Sequence, residues 1–283
     1  MKNRWLLNVA LAMLVGALVL LAIYKPAAKQ GPVGTPLTSL AAQDIQRIQL
    51  MRPKQSQIVL EKNAEGWRLT TPLVARANEA RVSELIQLAT TRVPTRFPTA
   101  PAELGKFALD SPLATLFLNE AEIRFGGMHP LENQLYVWHN NHVQLIPVTA
   151  LRAASAPLND FLNAGLLEDK TKPLAFRFST FSLQQNEQGA WMRTPVLTEL
   201  ASDAINRFVD EWRYARALAV APYSGKPIKE RVTITVANGD KTRTLELGVL
   251  ARAPEFIVYR PDENLQYHFS ADIGTRLMQI RPE

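Results

Sequence analysis

The side chains that most often hold metals or move protons here are four histidines, His129, His139, His142 and His268. His139-x-x-His142 would bring two imidazoles to one ion, but Asn140 and Asn141 lie between them and no carboxylate or third ligand stands at a useful spacing, so the segment reads as a polar hairpin turn. Nucleophilic chemistry has no better anchor. There is no G-x-S-x-G elbow and no S-x-x-K, and Ser224-Gly225-Lys226-Pro227 lacks the upstream glycine of a phosphate loop. Gly126-Gly127 closes a strand but is followed by Met128-His129-Pro130, and the proline forbids a helix whose amino terminus would hold a phosphate. Asp203, Asp210 and Glu211 fall on one helix and read as its solvated face. The chain has no cysteine, which removes disulfides, thiol nucleophiles, cysteine zinc sites and iron–sulfur clusters. The expectation is a non-enzymatic protein with no catalytic, cofactor-binding or metal-binding residues; a hydrolase with a dispersed site is the third-ranked reading, since only space can assemble such a site.

Charge adds little. The formal net charge is +6 over 283 residues. Lys2, Arg4 and Lys25 supply half of that within the first 25 residues, leaving a body close to neutral. Arg76, Arg81, Arg92 and Arg96 form the densest basic stretch, but Glu79 and Glu84 sit among them at helical spacing and weaken the field. With no zinc-finger spacing, aromatic RNA-binding signature or basic heptad, nucleic acid is not an expected partner.

The elements that would position any site begin with a run of 20 uncharged residues from Trp5 to Tyr24, long enough at 1.5 Å per residue for the roughly 30 Å of a bilayer core. Trp5 and Tyr24 occupy the interfacial ends. A cleaved signal peptide is the competing reading, but the run is longer than usual and ends in Ile23-Tyr24-Lys25-Pro26, a poor cleavage site. The expectation is a cytoplasmic tail and signal anchor over 1–25. A proline- and glycine-containing linker over 26–44 follows, and residues 26–283 would be periplasmic on a single-pass protein of a bacterial inner membrane.

Beyond the linker the pattern repeats. Residues 48–92 read as strands around Ile48–Met51 and Gln57–Lys62, then Gly66-Trp67-Arg68-Leu69-Thr70-Thr71-Pro72, then a helix near Glu79–Thr91. Residues 174–216 give strands around Leu174–Phe178 and Ser182–Asn186, then Gly189-Ala190-Trp191-Met192-Arg193-Thr194-Pro195, then a helix near Ser202–Arg216. Trp67 maps onto Trp191 and Pro72 onto Pro195. Later, Gly126 maps onto Gly248 and Leu135–Trp138 onto Phe256–Tyr259. Val82, Leu85, Ile86 and Ala89 share one helical face, as do Ile205, Phe208, Val209 and Trp212. Val232-Thr233-Ile234-Thr235-Val236 alternates as a half-buried strand must, and Asn238-Gly239-Asp240 supplies its turn. The expected fold class is α+β: a transmembrane helix followed by two tandem repeats, 45–165 and 166–283, each an antiparallel β-rich unit packed with an amphipathic helix.

The order of span, strand, Glu65-Gly66-Trp67-Arg68-Leu69-Thr70-Thr71-Pro72 and amphipathic helix resembles the DUF4340 family, whose function is unknown, over most of residues 45–280. The second unit departs from it, with Ala190 inserted before Trp191 and Arg193 where leucine stands in the first. Similar proteins lie beside gliding-type ABC transporter subunits in bacteria. The resemblance implies an accessory role in the cell envelope and no known catalytic residues. The functional expectation is therefore a membrane-anchored periplasmic protein that binds other envelope proteins, ABC transporter subunits among them, in a transport or assembly complex. The alternative is a periplasmic carrier of a lipid or small apolar ligand.

Overall fold

A computed structural model of the chain describes residues 10–17, 34–197 and 201–281. It is mostly β-sheet with few helices, in three antiparallel sheets. The first sheet runs β5 (Ala75–Arg76), β4 (Gly66–Thr71), β3 (Ile58–Asn63), β2 (Arg47–Met51), β8 (Ala114–Leu118), β9 (Ala121–Met128), β10 (Gln134–His139), β11 (His142–Pro147) and β7 (Arg96–Pro98). The second runs β14 (Trp191–Thr194), β13 (Ser182–Gln185), β12 (Lys172–Arg177), β16 (Glu230–Asn238), β17 (Lys241–Ala251), β18 (Glu255–Arg260), β19 (Leu265–Ser270) and β15 (Ala219–Pro222). A two-stranded ribbon pairs β1 (Thr35–Pro36) with β6 (Arg92–Val93). From β4 onward the first sheet has the order of the second, strand for strand; the residues that would match β5, 198–200, lie outside the described residues.

This corrects the α+β expectation. The helical periodicity belongs to short segments, α2 (Glu79–Thr90), α3 (Ala150–Ser155), α4 (Ser202–Arg213) and α5 (Ala271–Met278), which cover single faces of long meanders. Strands of two to four residues, such as β5, β6, β7 and β15, are too short to show a period in the sequence, so the strand content was underestimated.

The membrane-spanning expectation is corrected as well. Within Trp5 to Tyr24 only residues 10–17 are described; they form a helix, α1, exposed along its length. The rest of the expected span, residues 5–9 and 18–24, lies outside the described residues. No helix among the described residues is long and apolar enough to cross a membrane, which overturns the single-pass, inner-membrane placement. The segment expected as linker over 26–44 is described from residue 34, and there it is part of the body: Thr35–Pro36 pairs with β6, and Leu37 is buried.

Local chemistry explains the elements. Asn78 caps α2, its side-chain oxygen accepting from the Ala80 N–H at 3.2 Å. Val82, Leu85, Leu88 and Ala89 then face the first sheet. Asn140 and Asn141 both take positive φ in the two-residue turn between β10 and β11, a conformation asparagine tolerates well. At Gly126 in β9 an added Cβ would sit 2.4 Å from the Phe107 carbonyl oxygen, so glycine there admits the 3₁₀ segment Pro101–Phe107 against the strand. On the second sheet, Phe208 and Trp212 of α4 meet Phe176 and Phe178 with ring centroids 5.6–6.1 Å apart. The buried Trp212 indole donates to the Leu277 carbonyl at 2.7 Å, tying α4 to α5.

One apolar core runs through both sheets, from Ile48 and Leu85 through Phe161 and Leu166 to Trp212 and Phe269. Between the sheets, the connector stitches two inner edges together. The Asn163 N–H donates to the Arg76 carbonyl at 3.0 Å on one side, and the Ala217 N–H donates to the Ala164 carbonyl at 2.8 Å on the other. Replacing Phe208 by alanine removes the ring that links α4 to the second sheet and should cost about 3–5 kcal/mol. A urea titration followed by tryptophan fluorescence checks it, with the midpoint shifted down and an unchanged slope.

Candidate functional site

The residues with catalytic potential are either tied to neighbouring groups or scattered singly over the surface. His139 Nδ1 lies 2.8 Å from the Glu122 carbonyl oxygen, while His142 Nδ1 lies 2.8 Å from the Asn140 carbonyl and 3.3 Å from Arg96 Nη2. The two histidines face each other across the last rung of β10 and β11, and no group of three or more metal-ligating side chains occurs among the described residues. The Ser224 N–H donates to the Gln266 side chain. Glu211 pairs with Arg276 at 3.1 Å, and Asp203 and Asp210 are exposed. Arg81 bonds Glu84 at 2.9 Å and Asp160 at 3.0 Å, whereas Arg92 donates to the Gly34 carbonyl.

Arg76 is different. It leaves the basic stretch entirely and enters the junction between the sheets, where its Nε lies 2.5 Å from Glu263 Oε1, its Nη2 3.0 Å from the Tyr267 hydroxyl, and its Nη2 and Nη1 2.7 and 3.2 Å from the Gly165 and Leu167 carbonyls. From the other side, Arg260 donates to the Leu166 carbonyl at 2.7 Å, to Glu168 at 2.6 Å and to Asp262 at 2.9 Å. Arg243 pairs with Glu168 too. Three arginines meet three carboxylates here, with Arg76 11%, Arg260 1% and Glu263 3% exposed. Burial pushes Glu168 up, but Arg260, Arg243 and Arg76 together pull it down to about 2. Burial likewise opposes ionisation of Glu263, yet the Arg76 hydrogen bond and charge hold it below the usual carboxylate range. Tyr267 is pushed up, first by burial. Strongly shifted groups cluster at active sites, but they also mark structural ion networks. Here nearly every donor is spent on protein, which gives the cluster the character of a clamp.

Sequence reasoning missed this cluster because Glu263 lies in the turn Pro261–Asn264, where carboxylates are normally solvated. The signal available was the pairing of a lone arginine, Arg76, next to a strand end with an acidic turn some 190 residues away, and spacing alone cannot reveal that.

The second feature is the outer end of the second sheet. In the first sheet the outer edge of β4 is covered by β5, with the Ala77 N–H donating to the Trp67 carbonyl at 3.0 Å. Trp191, which opens β14, occupies the place of Trp67, the second residue of β4. The Asn186 N–H donates to the Ala190 carbonyl, so Ala190, Met192 and Thr194 turn their polar groups toward β13, and Trp191 and Arg193 turn theirs outward. Among the described residues no strand covers them, and residues 198–200, which the repeat places where β5 stands in the first sheet, lie outside the described residues. Arg193 stacks over the Phe181 ring at 5.0 Å, and Trp191 packs on Phe176 at 5.8 Å. On and beyond this edge Met192, Val196 and Leu197 are 54%, 78% and 54% exposed.

Two open clefts complete the surface. One, of about 540 Å³, lies between Ser39, Asn119, Glu122, Trp138 and His139; the other, of about 450 Å³, lies between α2 and α3. Both are lined largely by turn and helix-surface residues with polar side chains.

Compared with known families, residues 67–229 match the model of a domain of unknown function, DUF4340. No curated protein and no solved structure matches.

Arg76→Met strands Glu263 without its partner and should destabilise the chain by about 3–5 kcal/mol. Adding Glu263→Gln should recover part of that loss, a coupling that a double-mutant cycle of urea midpoints measures. The pH dependence has a definite sign. Glu168 is depressed in the fold from 4.5 to about 2, so its stabilisation is complete above pH 4.5 and disappears as the pH falls toward 2. Thermal midpoints should drop across that window, and by less in Glu168→Gln.

Proposed function

The chain belongs to the DUF4340 family, and from that premise we propose that it is a non-enzymatic, protein-binding subunit of a larger transport or assembly complex, with β14 as its docking edge. The observation that carries this reading is the exposed apolar run on and just beyond β14, Met192, Val196 and Leu197, at the outer end of the second sheet. A sheet edge with unpaired N–H and C=O groups accepts an extended segment of another polypeptide, and backbone hydrogen bonds then supply affinity while flanking pockets supply selectivity. Apolar Met192, Val196 and Leu197 beside the edge favour a partner that covers them. The opposite end of the assembly is less receptive. Thr95 and Thr99 spend backbone groups on β11, so Pro98 stands at an outward position of β7 with no N–H to offer.

The carrier reading gains nothing specific from the clefts, which are open to solvent where an apolar ligand would need enclosure. The catalytic reading likewise has no assembled nucleophile, base and orienting group among the described residues.

Proline at position 193 tests the docking edge directly. Among the described residues the Arg193 N–H has no partner in the sheet, so Arg193→Pro removes a donor that an added strand would use, and Arg193→Ala controls for the lost guanidinium. With a photoreactive residue at position 192, the crosslinked polypeptide should bind about tenfold or more weakly to Arg193→Pro than to Arg193→Ala. Equal binding by the two variants, both folded by circular dichroism, would remove β14 as the docking edge.

A further inference from the structure

We infer that the cleft at the turn end of the first sheet receives an arginine side chain presented by another protein; it belongs to a different sheet from β14, so this goes beyond the docking reading above and does not depend on it. The argument is one of internal correspondence. In the second half the Leu166 N–H donates to the Ala215 carbonyl at 2.9 Å, just past α4, and in the first half the Leu37 N–H donates to the Thr91 carbonyl at 2.8 Å, just past α2. Both leucines are buried. The connector and the segment before β2 are therefore the same piece of each half. Arg260, the last residue of β18, stands over the connector, while His139, the last residue of β10, lines the cleft together with Thr38 and Ser39. The place of the arginine clamp in one half is the place of the cleft in the other.

What fills that place differs. In the connector three successive carbonyls, on Gly165, Leu166 and Leu167, each accept from a guanidinium, and two of those bonds come from Arg76, which belongs to the other half. In the first half the Leu37 carbonyl accepts only from Gln144 Nε2, at 3.5 Å, and the Thr38 carbonyl, which matches that of Leu167, accepts no hydrogen bond among the described residues. Where the second half has Arg260 and Glu168, the first has His139 and Ser39, and about 540 Å³ stands open.

The chemistry left there is that of an acceptor. No lysine or arginine lines the cleft. Glu120 makes no ion pair or hydrogen bond among the described residues, and Glu122 gives one oxygen to Arg124 at 2.7 Å and keeps the other. The Glu122 carbonyl lies 2.8 Å from His139 Nδ1, so that nitrogen carries the proton and Nε2 keeps a lone pair. An anion would meet two carboxylates and no cation. A guanidinium is planar, weakly hydrated and armed with five donors, so it can serve carboxylate, carbonyl and imidazole acceptors at once, whereas an ammonium concentrates three donors on one point. No arginine among the described residues of this chain lines the cleft, so the guanidinium comes from a partner.

The probe is Nα-acetyl-arginine N-methylamide, with its lysine and citrulline counterparts, added to the isotope-labelled full-length chain and followed by NMR. The arginine probe should bind with a Kd of about a millimolar, and neutral citrulline about tenfold or more weakly. The Trp138 indole and Asn140 side-chain signals should move while the Trp191 indole stays. Glu120→Gln and Glu122→Gln together should weaken binding about tenfold. Ala121→Arg, which sets a guanidinium at the start of β9 as Arg243 does near the start of β17, should abolish binding without lowering the urea midpoint. The inference is overturned if citrulline or lysine binds as tightly as arginine, if the double glutamine variant binds unchanged, or if the shifted signals lie outside the cleft. None of these outcomes bears on β14, and Arg193→Pro should leave the affinity for the arginine probe as it is.

Discussion

Two arginines and one short stretch of backbone decide how the halves of this molecule stand. Arg76 reaches from the last strand of the first sheet to the carbonyls of Gly165 and Leu167, and Arg260 reaches from the second sheet to the carbonyl between them, on Leu166. Desolvated guanidinium groups are costly unless each donor is met and each charge balanced. Glu263, Glu168 and Asp262 balance them, and the Tyr267 hydroxyl fills a remaining position. A displacement of the halves by even a few ångströms would leave buried charge uncompensated. The network therefore contributes a fixed geometry more than net stabilisation, and the shared apolar core supplies the latter.

That geometry determines which edges remain. Fastening the connector against β5 and against the residues leading into β15 consumes one edge of each sheet. β7 is left at one end with proline at an outward position, and β14 at the other with exposed apolar neighbours. Sheets of this length usually blunt their edges with charge, proline or a covering loop. At β14 proline comes only after the last residue, at Pro195, and among the described residues no strand lies beyond it.

Much of this was readable in the residues. Trp67 and Trp191, Pro72 and Pro195, and the 3-4 spacing of Val82, Leu85 and Ala89 or Ile205, Phe208 and Val209 locate the hairpins and helices correctly, because large apolar side chains at a fixed period have one efficient way to be buried. Asn140-Asn141 and Gly239 mark turns for an equally local reason. What failed was non-local or too short to carry a period. β5 is two residues long, and Arg76 looks like one more surface cation until Glu263 is brought beside it. Leu37 sits among prolines and glycines and is nevertheless buried. The apolar run near the amino terminus has the composition of a span, and most of it lies outside the described residues.

The difference between Leu69 and Arg193 shows how one substitution can follow from topology. Leu69 is buried because β5 lies on one side of its strand and α2 covers its face. At the matching place in the second sheet no further strand stands among the described residues, and a leucine there would leave part of its surface in water. Arginine instead lays its stem over Phe181 and keeps its charged end at the rim. Its guanidinium also bonds the Pro195 carbonyl, holding the chain just past the strand end in place. The residue that makes the edge soluble thus also keeps it straight, a state in which an added strand finds its hydrogen-bonding groups already ordered and loses little entropy on pairing.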